Sequence, residues 1–514
     1  MIPSIRSHLP FLILFLAITA FSVYFSLFTI LRYQKLYAHY FDLGIMHQTV
    51  YNTYKAIETG DLSRILEMTD PHITLDQVKR MSVHNDIFLA LLAPAFFIYS
   101  GPETLLVIQA IAVALGAFFV YRICQIVFEE SERRSWIAVL FSLSYLLYPP
   151  LQKAVNFDFH AVTFSTPLLL GMYYFWLKKR YVWSFVFIVL TLLTKEQVGL
   201  VISIFGLYVF IKKVTDMDFS FFKKKASFGI LKKLIKKADR REVLFSTAAI
   251  VSGVVWVLLS MLVIIPYFRG SEHFGAQYYT YLEREPWKVF PVVFRYETFH
   301  YIFLLTAPLG MFALFSPSHL LMAGSEFATN ILSSNGNMRN IYFHYDTALT
   351  AFVILGSIYG AKTCLNITTF KKAAKRLPVS AETILMGYLA ISIIVFSLYL
   401  SPLPWGHHRD VYAWTSHPGR VQDVRLWQKY LSGDDIKVST TGHIAPFFTS
   451  RRYFYDFAGG YDRAEYVVVD VSDIGHGFQA EESEANYEAL QNDWRYITIY
   501  DKNDIKVYKN ISHL

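Results

Sequence analysis

Apolar residues in this chain come in long blocks, with charged or Pro/Gly-containing breaks between them. The first block covers residues 11–32. Others follow at 102–127, 136–150, 161–177, 182–194, 197–211, 243–267, 301–316, 318–333, 347–363 and 381–401. A helix needs about 20 apolar residues to cross a bilayer. Inside lipid every backbone N–H and C=O must be satisfied within the helix itself. The blocks therefore predict a polytopic all-α membrane domain of about 11 transmembrane helices over 1–401. No small-residue cleavage site follows the first block, so it reads as a retained helix rather than a signal peptide. The apolar run 86–99 is too short to span and predicts a juxtamembrane helix. It lies in a polar first outer loop, about 33–101, expected to be amphipathic helix plus loop.

After residue 401 the pattern changes. Residues 402–514 are polar and aromatic, with short β-rich runs at Ile436–Thr440, Tyr466–Val471, Tyr496–Tyr500 and Ile505–Tyr508. Helical patterns fall near 420–432 and 483–492. This predicts a small α/β domain.

Composition agrees with the membrane reading and charge orients it. The 514 residues are 54% hydrophobic and the mean hydropathy is +0.33, which excludes a typical soluble or disordered chain. The net charge of +8 would point to nucleic acid in a soluble protein, but here the excess sits between the blocks. Loop 212–242 alone has eleven Lys/Arg against four Asp/Glu. The positive-inside bias then places the N-terminus and this loop in the cytoplasm and the C-terminal domain outside, with no nucleic-acid partner implied. The two cysteines, Cys124 and Cys364, fall near cytoplasmic ends of spans, which argues against a disulfide framework or a Cys metal site.

That topology gathers polar clusters on the outer face: Asp42, His84-Asn85-Asp86, Asp158 and His160, Lys195-Glu196, Glu272-His273 and His344-Tyr345. A carboxylate there can deprotonate an acceptor, a second acid or His can hold it or a divalent cation, and Lys can neutralise a phosphate. Each also has a plainer reading. Asp86 can cap a helix, Lys195-Glu196 can be a tight turn, His344-Tyr345 can belong to the aromatic belt, and Asp158 and His160 can simply be solvated. No motif calls for a cofactor, although a divalent cation is compatible with these groups.

Phe41-Asp42-Leu43-Gly44-Ile45 with Gln48, His84, Leu92-Ala93-Pro94, Phe157-Asp158-Phe159-His160, Lys195-Glu196, His344-Tyr345 and Tyr466-Val467-Val468-Val469-Asp470 form an ordered series. In that order the chain resembles a large prokaryotic family known only as predicted membrane proteins. That family is similar in layout to the GT-C glycosyltransferases, which transfer a sugar from a polyprenyl-phosphate carrier at the outer face. The resemblance implies Asp42 as general base, Asp158 as a second acid and Glu196 lining the cleft. It implies Lys195 at the carrier phosphate, with His84, Asp86, His160, His344 and Tyr345 as substrate contacts. It also implies a lipid-linked sugar donor, surrounding membrane lipids and a prokaryotic plasma-membrane location; the acceptor is left open. The chain has one acid, Asp42, where many GT-C members carry an adjacent pair. A transporter or flippase of lipid-linked substrates and a non-catalytic membrane scaffold are the alternatives. The first would place ionisable groups at mid-span, where this sequence has almost none.

Overall fold

The computed structural model describes residues 5–71, 75–217, 239–374, 376, 378–415 and 417–512. Most of the basic loop 212–242 lies outside the described residues.

Five helices are long and apolar enough to cross a membrane: His8–Gln34, Glu103–Val127, Arg240–Arg269, Thr347–Asn366 and Ala381–Leu400. Shorter apolar helices lie at Ile87–Phe97, Arg134–Leu146, Ala161–Leu177, Tyr181–Leu192 and Val198–Lys212. The first helix shows why they assemble. Leu14, Phe21, Phe25 and Phe28 fall on one helical face and are buried, while Leu12, Phe15, Leu16 and Leu27 point outward and are equally apolar. An outward face of this kind suits lipid, not water. Where helices Val198–Met217 and Arg240–Leu259 cross, Gly199 meets Gly253. A Cβ on Gly199 would lie 2.5 Å from the Gly253 carbonyl oxygen, so the close approach needs both glycines.

Two expected spans, 301–316 and 318–333, are not continuous helices. The chain there runs as Tyr296–Thr306, Ala307–Leu309, Phe312–Phe315, Pro317–Met322 and Gly324–Leu332. Pro308 and Pro317 cannot supply the helical N–H, and Met311 sits in the left-handed region at φ 55°. The segment is apolar but broken. The run 86–99 forms a 3₁₀ helix, Ile87–Phe97, with Pro94 inside it.

The first loop holds a helix, Ile45–Thr59, and a short antiparallel pair, β1 (Glu67–Thr69) with β2 (Gln77–Lys79). The C-terminal region forms a five-stranded sheet from β3 (Val438–Thr440), β4 (Phe454–Asp456), β5 (Tyr466–Asp470), β6 (Tyr496–Lys502) and β7 (Ile505–Asn510), in the order β4-β3-β5-β7-β6. Strand β3 is parallel to β4 and β5, and β5–β7–β6 is antiparallel. Asn503 and Asp504 close the β6–β7 hairpin, both with positive φ (47° and 63°), as a two-residue hairpin turn requires.

The sheet divides its side chains between two cores. Val467 and Val469 pack with Leu490 of helix Ala480–Gln491. Val438, Val468 and Val507 share a core with Tyr40, Leu43, Leu89 and Leu105. The sheet therefore lies directly on the first loop. Arg64 Nη1 and Nη2 donate to the two Asp434 carboxylate oxygens at 2.7 and 3.0 Å, and Arg452 pairs with Glu67 at 3.0 Å. Beyond residue 401 the chain contributes to one core of its own and to one shared with the first loop.

Candidate active site

Asp42 sits in a π-helical turn, Tyr40–Gly44, a local widening common at functional sites. His39 precedes the turn in extended backbone, and its Nδ1 accepts the Phe41 N–H at 3.3 Å. Tyr40 and Leu43 are fully buried and anchor the turn, while the Asp42 side chain stays about a quarter exposed at 24%. Asp42 Oδ1 lies 3.1 Å from His160 Nε2. The His160 ring stacks on His344 at 3.7 Å between centroids, and His344 in turn packs on Tyr345 at 4.5 Å. Burial raises the Tyr345 hydroxyl to about 12, so it remains a donor.

Asp158 belongs to the same cluster but faces inward. It takes the left-handed conformation (φ 49°), is buried, and accepts the His39 N–H at 3.0 Å. Burial pushes its carboxyl up to about 6; the Asp42 charge adds to the rise and Arg32 opposes it. Asp158 thus fixes the segment that carries Asp42.

The C-terminal sheet closes this site from above. Gly442 O accepts the Tyr40 N–H at 3.0 Å, and a Cβ at position 442 would collide with the His39 ring. His443 Nδ1 lies 2.5 Å from Asp473 Oδ1, and its ring meets His39 edge-on at 5.1 Å. Burial disfavours charge on His443, but Asp473 outweighs it and lifts the ring above its ordinary value. Burial, with the His443 charge beside it, lowers His39 against the pull of Asp42 and Asp473. Sequence reasoning missed His39, His443 and Asp473. Asp473 and His443 stand 30 positions apart in a polar region, and only the fold pairs them.

Glu196 anchors a second cluster, in the turn between helices Tyr181–Leu192 and Val198–Met217. One carboxylate oxygen lies 2.9 Å from His84 Nδ1 and 3.3 Å from His273 Nε2; the other accepts the Asn85 N–H at 3.0 Å. Burial alone would raise this carboxyl, but His84, His273 and Lys195 hold it well below the usual range. Burial lowers His84 to about 4, so near neutral pH the ring is uncharged beside the carboxylate. The three residues His84, Glu196 and His273 bring their ligand atoms within 4.8 Å of one another, a grouping of the kind that holds a metal ion. The Lys195 charge also bears on Glu326 and His344.

Asp86, expected as a substrate contact, is held in an ion pair. Arg80 grips both its oxygens, Nε at 2.8 Å and Nη2 at 2.8 Å, and both side chains are buried. The guanidinium thus meets this carboxylate in a bidentate pair. Asp346, at the start of helix Thr347–Asn366, is a further buried acid. Neither of its oxygens meets a donor from another residue among those described, and burial raises it well above the ordinary value.

No curated protein matches the chain. Among solved structures it is similar to ArnT from Cupriavidus metallidurans bound to undecaprenyl phosphate, at 12% identity and TM-score 0.48 over 96% of this chain and 97% of that one. It is also similar to the oligosaccharyltransferase AglB from Archaeoglobus fulgidus in complex with an inhibitory peptide and a dolichol-phosphate. There the identity is 11% and the TM-score 0.42, over 99% of this chain and 75% of that one. The lipid-facing helices and the family match agree that this is a multi-pass membrane protein. A family profile covers residues 32–507, nearly the whole chain, and the protein belongs to that family, the predicted membrane proteins of DUF2079.

Proposed function

We propose that the chain is an inverting glycosyltransferase of the GT-C type that moves a sugar from a polyprenyl-phosphate donor to an acceptor at the outer face of the membrane. The observation that carries this reading is the contrast among the carboxylates. Asp86 is locked to Arg80, Asp158 to the His39 backbone, and Glu196 to His84 and Asn85. Asp42 alone of these four combines partial exposure with a histidine at hydrogen-bond distance. That is what a general base at an open site needs.

In this reading the acceptor attacks the sugar C1 in line with the phosphate. The bond from C1 to the phosphate oxygen breaks, the bond from C1 to the acceptor forms, Asp42 takes the acceptor proton, and the electron pair leaves with the phosphate. Lys195 meets the growing phosphate charge, His160 orients Asp42, and His344 and Tyr345 pack behind that histidine. Positioning and stabilisation of the leaving group carry most of the rate. The N-terminus and the basic loop face the cytoplasm, and the C-terminal sheet lies outside with the site.

The test uses purified protein in liposomes with a panel of labelled polyprenyl-phosphate sugars. Asp42→Asn is expected to lower turnover by about 10²–10⁴-fold while donor binding survives. Donor that binds to the parent chain but is never consumed points to transport. If no donor binds and Asp42→Asn changes nothing, the transferase reading falls.

A further inference from the structure

We propose that His84, Glu196 and His273 form a binding site for one divalent cation of the zinc class. The residues come from three separate segments: the first loop ahead of helix Ile87–Phe97, the turn after helix Tyr181–Leu192, and the loop that follows Arg269. Bonds of about 2.0–2.1 Å to a tetrahedral metal put ligand atoms roughly 3.4 Å apart. The spacings here are 2.9 Å from Glu196 Oε1 to His84 Nδ1 and 3.3 Å to His273 Nε2. These are two edges of such a tetrahedron before the metal has drawn its ligands into place.

Two further observations point the same way. His273 Nε2 is buried and makes no hydrogen bond, although a carboxylate oxygen lies 3.3 Å away. The second Glu196 oxygen is already fixed by the Asn85 N–H at 3.0 Å, the kind of outer contact that orients a ligating carboxylate. Two imidazoles and one carboxylate favour zinc over magnesium or calcium, which take oxygen ligands. Three protein ligands leave one position for water or an oxyanion. Loading has a structural consequence. His273 Nδ1 now accepts the Gly275 N–H at 3.0 Å, and metal at Nε2 puts the ring proton on Nδ1, so that cap bond must open.

The inference does not depend on the transferase reading, and its readout is bound metal rather than turnover. Full-length protein, stripped with a chelator and dialysed, would be titrated with Zn²⁺, counting bound metal and following the thermal midpoint. One zinc per chain and a raised midpoint are expected. His273→Ala and Glu196→Gln should each weaken zinc binding by about 100-fold or more, whereas Asp42→Asn should load like the parent. If a variant does not fold, Co²⁺ in the parent chain decides: a tetrahedral visible spectrum supports the site, and an octahedral spectrum or none overturns it. Equal loading of the parent and His273→Ala would also overturn it.

Discussion

Asp42 and Asp158 are acids of the same type in one cluster, and their surroundings divide the work. Asp158 is buried, and burial pushes its carboxyl up to about 6, above the ordinary value of about 4. The folded chain therefore keeps a proton that the unfolded chain gives up, and this acid costs more stability as pH rises from about 4 through about 6. Asp158→Asn removes that cost and keeps a residue that tolerates the left-handed backbone. The variant should be more stable than the parent above pH 6, on the order of 1–3 kcal/mol, with the gain fading below about pH 4. Thermal unfolding at both ends of that window checks this; an equal shift at both ends would contradict it. Asp42, His160, His344 and Tyr345 were visible in the sequence because each stands at the edge of an apolar block, where a polar residue is conspicuous. His443 and Asp473 lie in a region where polar residues are ordinary, so nothing marked them.

The first loop and the C-terminal sheet behave as one element joined by buried charge. Arg64 is almost wholly buried, donates to both Asp434 oxygens and also reaches Asn52 Oδ1 at 2.7 Å. Arg64→Ala leaves these acceptors without their donor and should cost about 2 kcal/mol. A double-mutant cycle with Asp434→Ala should then show strong non-additivity, and simple additivity would mean the contact is idle. The sequence marked helix Pro418–Tyr430, helix Ala480–Gln491 and four of the five sheet strands to within a few residues, because each is long or periodic enough to leave a pattern. Strands β1, β2 and β4 have three residues each, too short for alternation to register; β3 is equally short but sits in the longer β-rich run Ile436–Thr440. The broken segment 296–332 has the opposite problem. Its apolarity was plain, but its breaks depend on where individual prolines fall.

For the whole molecule, hydropathy located the membrane-facing blocks but not how many run through as single helices. Burial does not sort long from short: Ile137, Ala138 and Phe141 of the short helix Arg134–Leu146 are buried, yet the short helix Tyr181–Leu192 exposes Val182 and Trp183. The orientation can be measured directly. In a chain with Cys124 and Cys364 replaced, Ser432→Cys should react with an impermeant maleimide on intact cells. Ser227→Cys should react only after permeabilisation, and the reverse pattern would invert the topology. The shared core has one more consequence, in the order of synthesis. His47 hydrogen-bonds Thr449 at 2.8 Å across 402 positions of chain. The loop that carries Asp42 leaves the ribosome early, yet its apolar face stays uncovered until almost the last strand is translated. A chain that stops short of β3 would thus leave His39 and Asp42 without the C-terminal residues that pack around them.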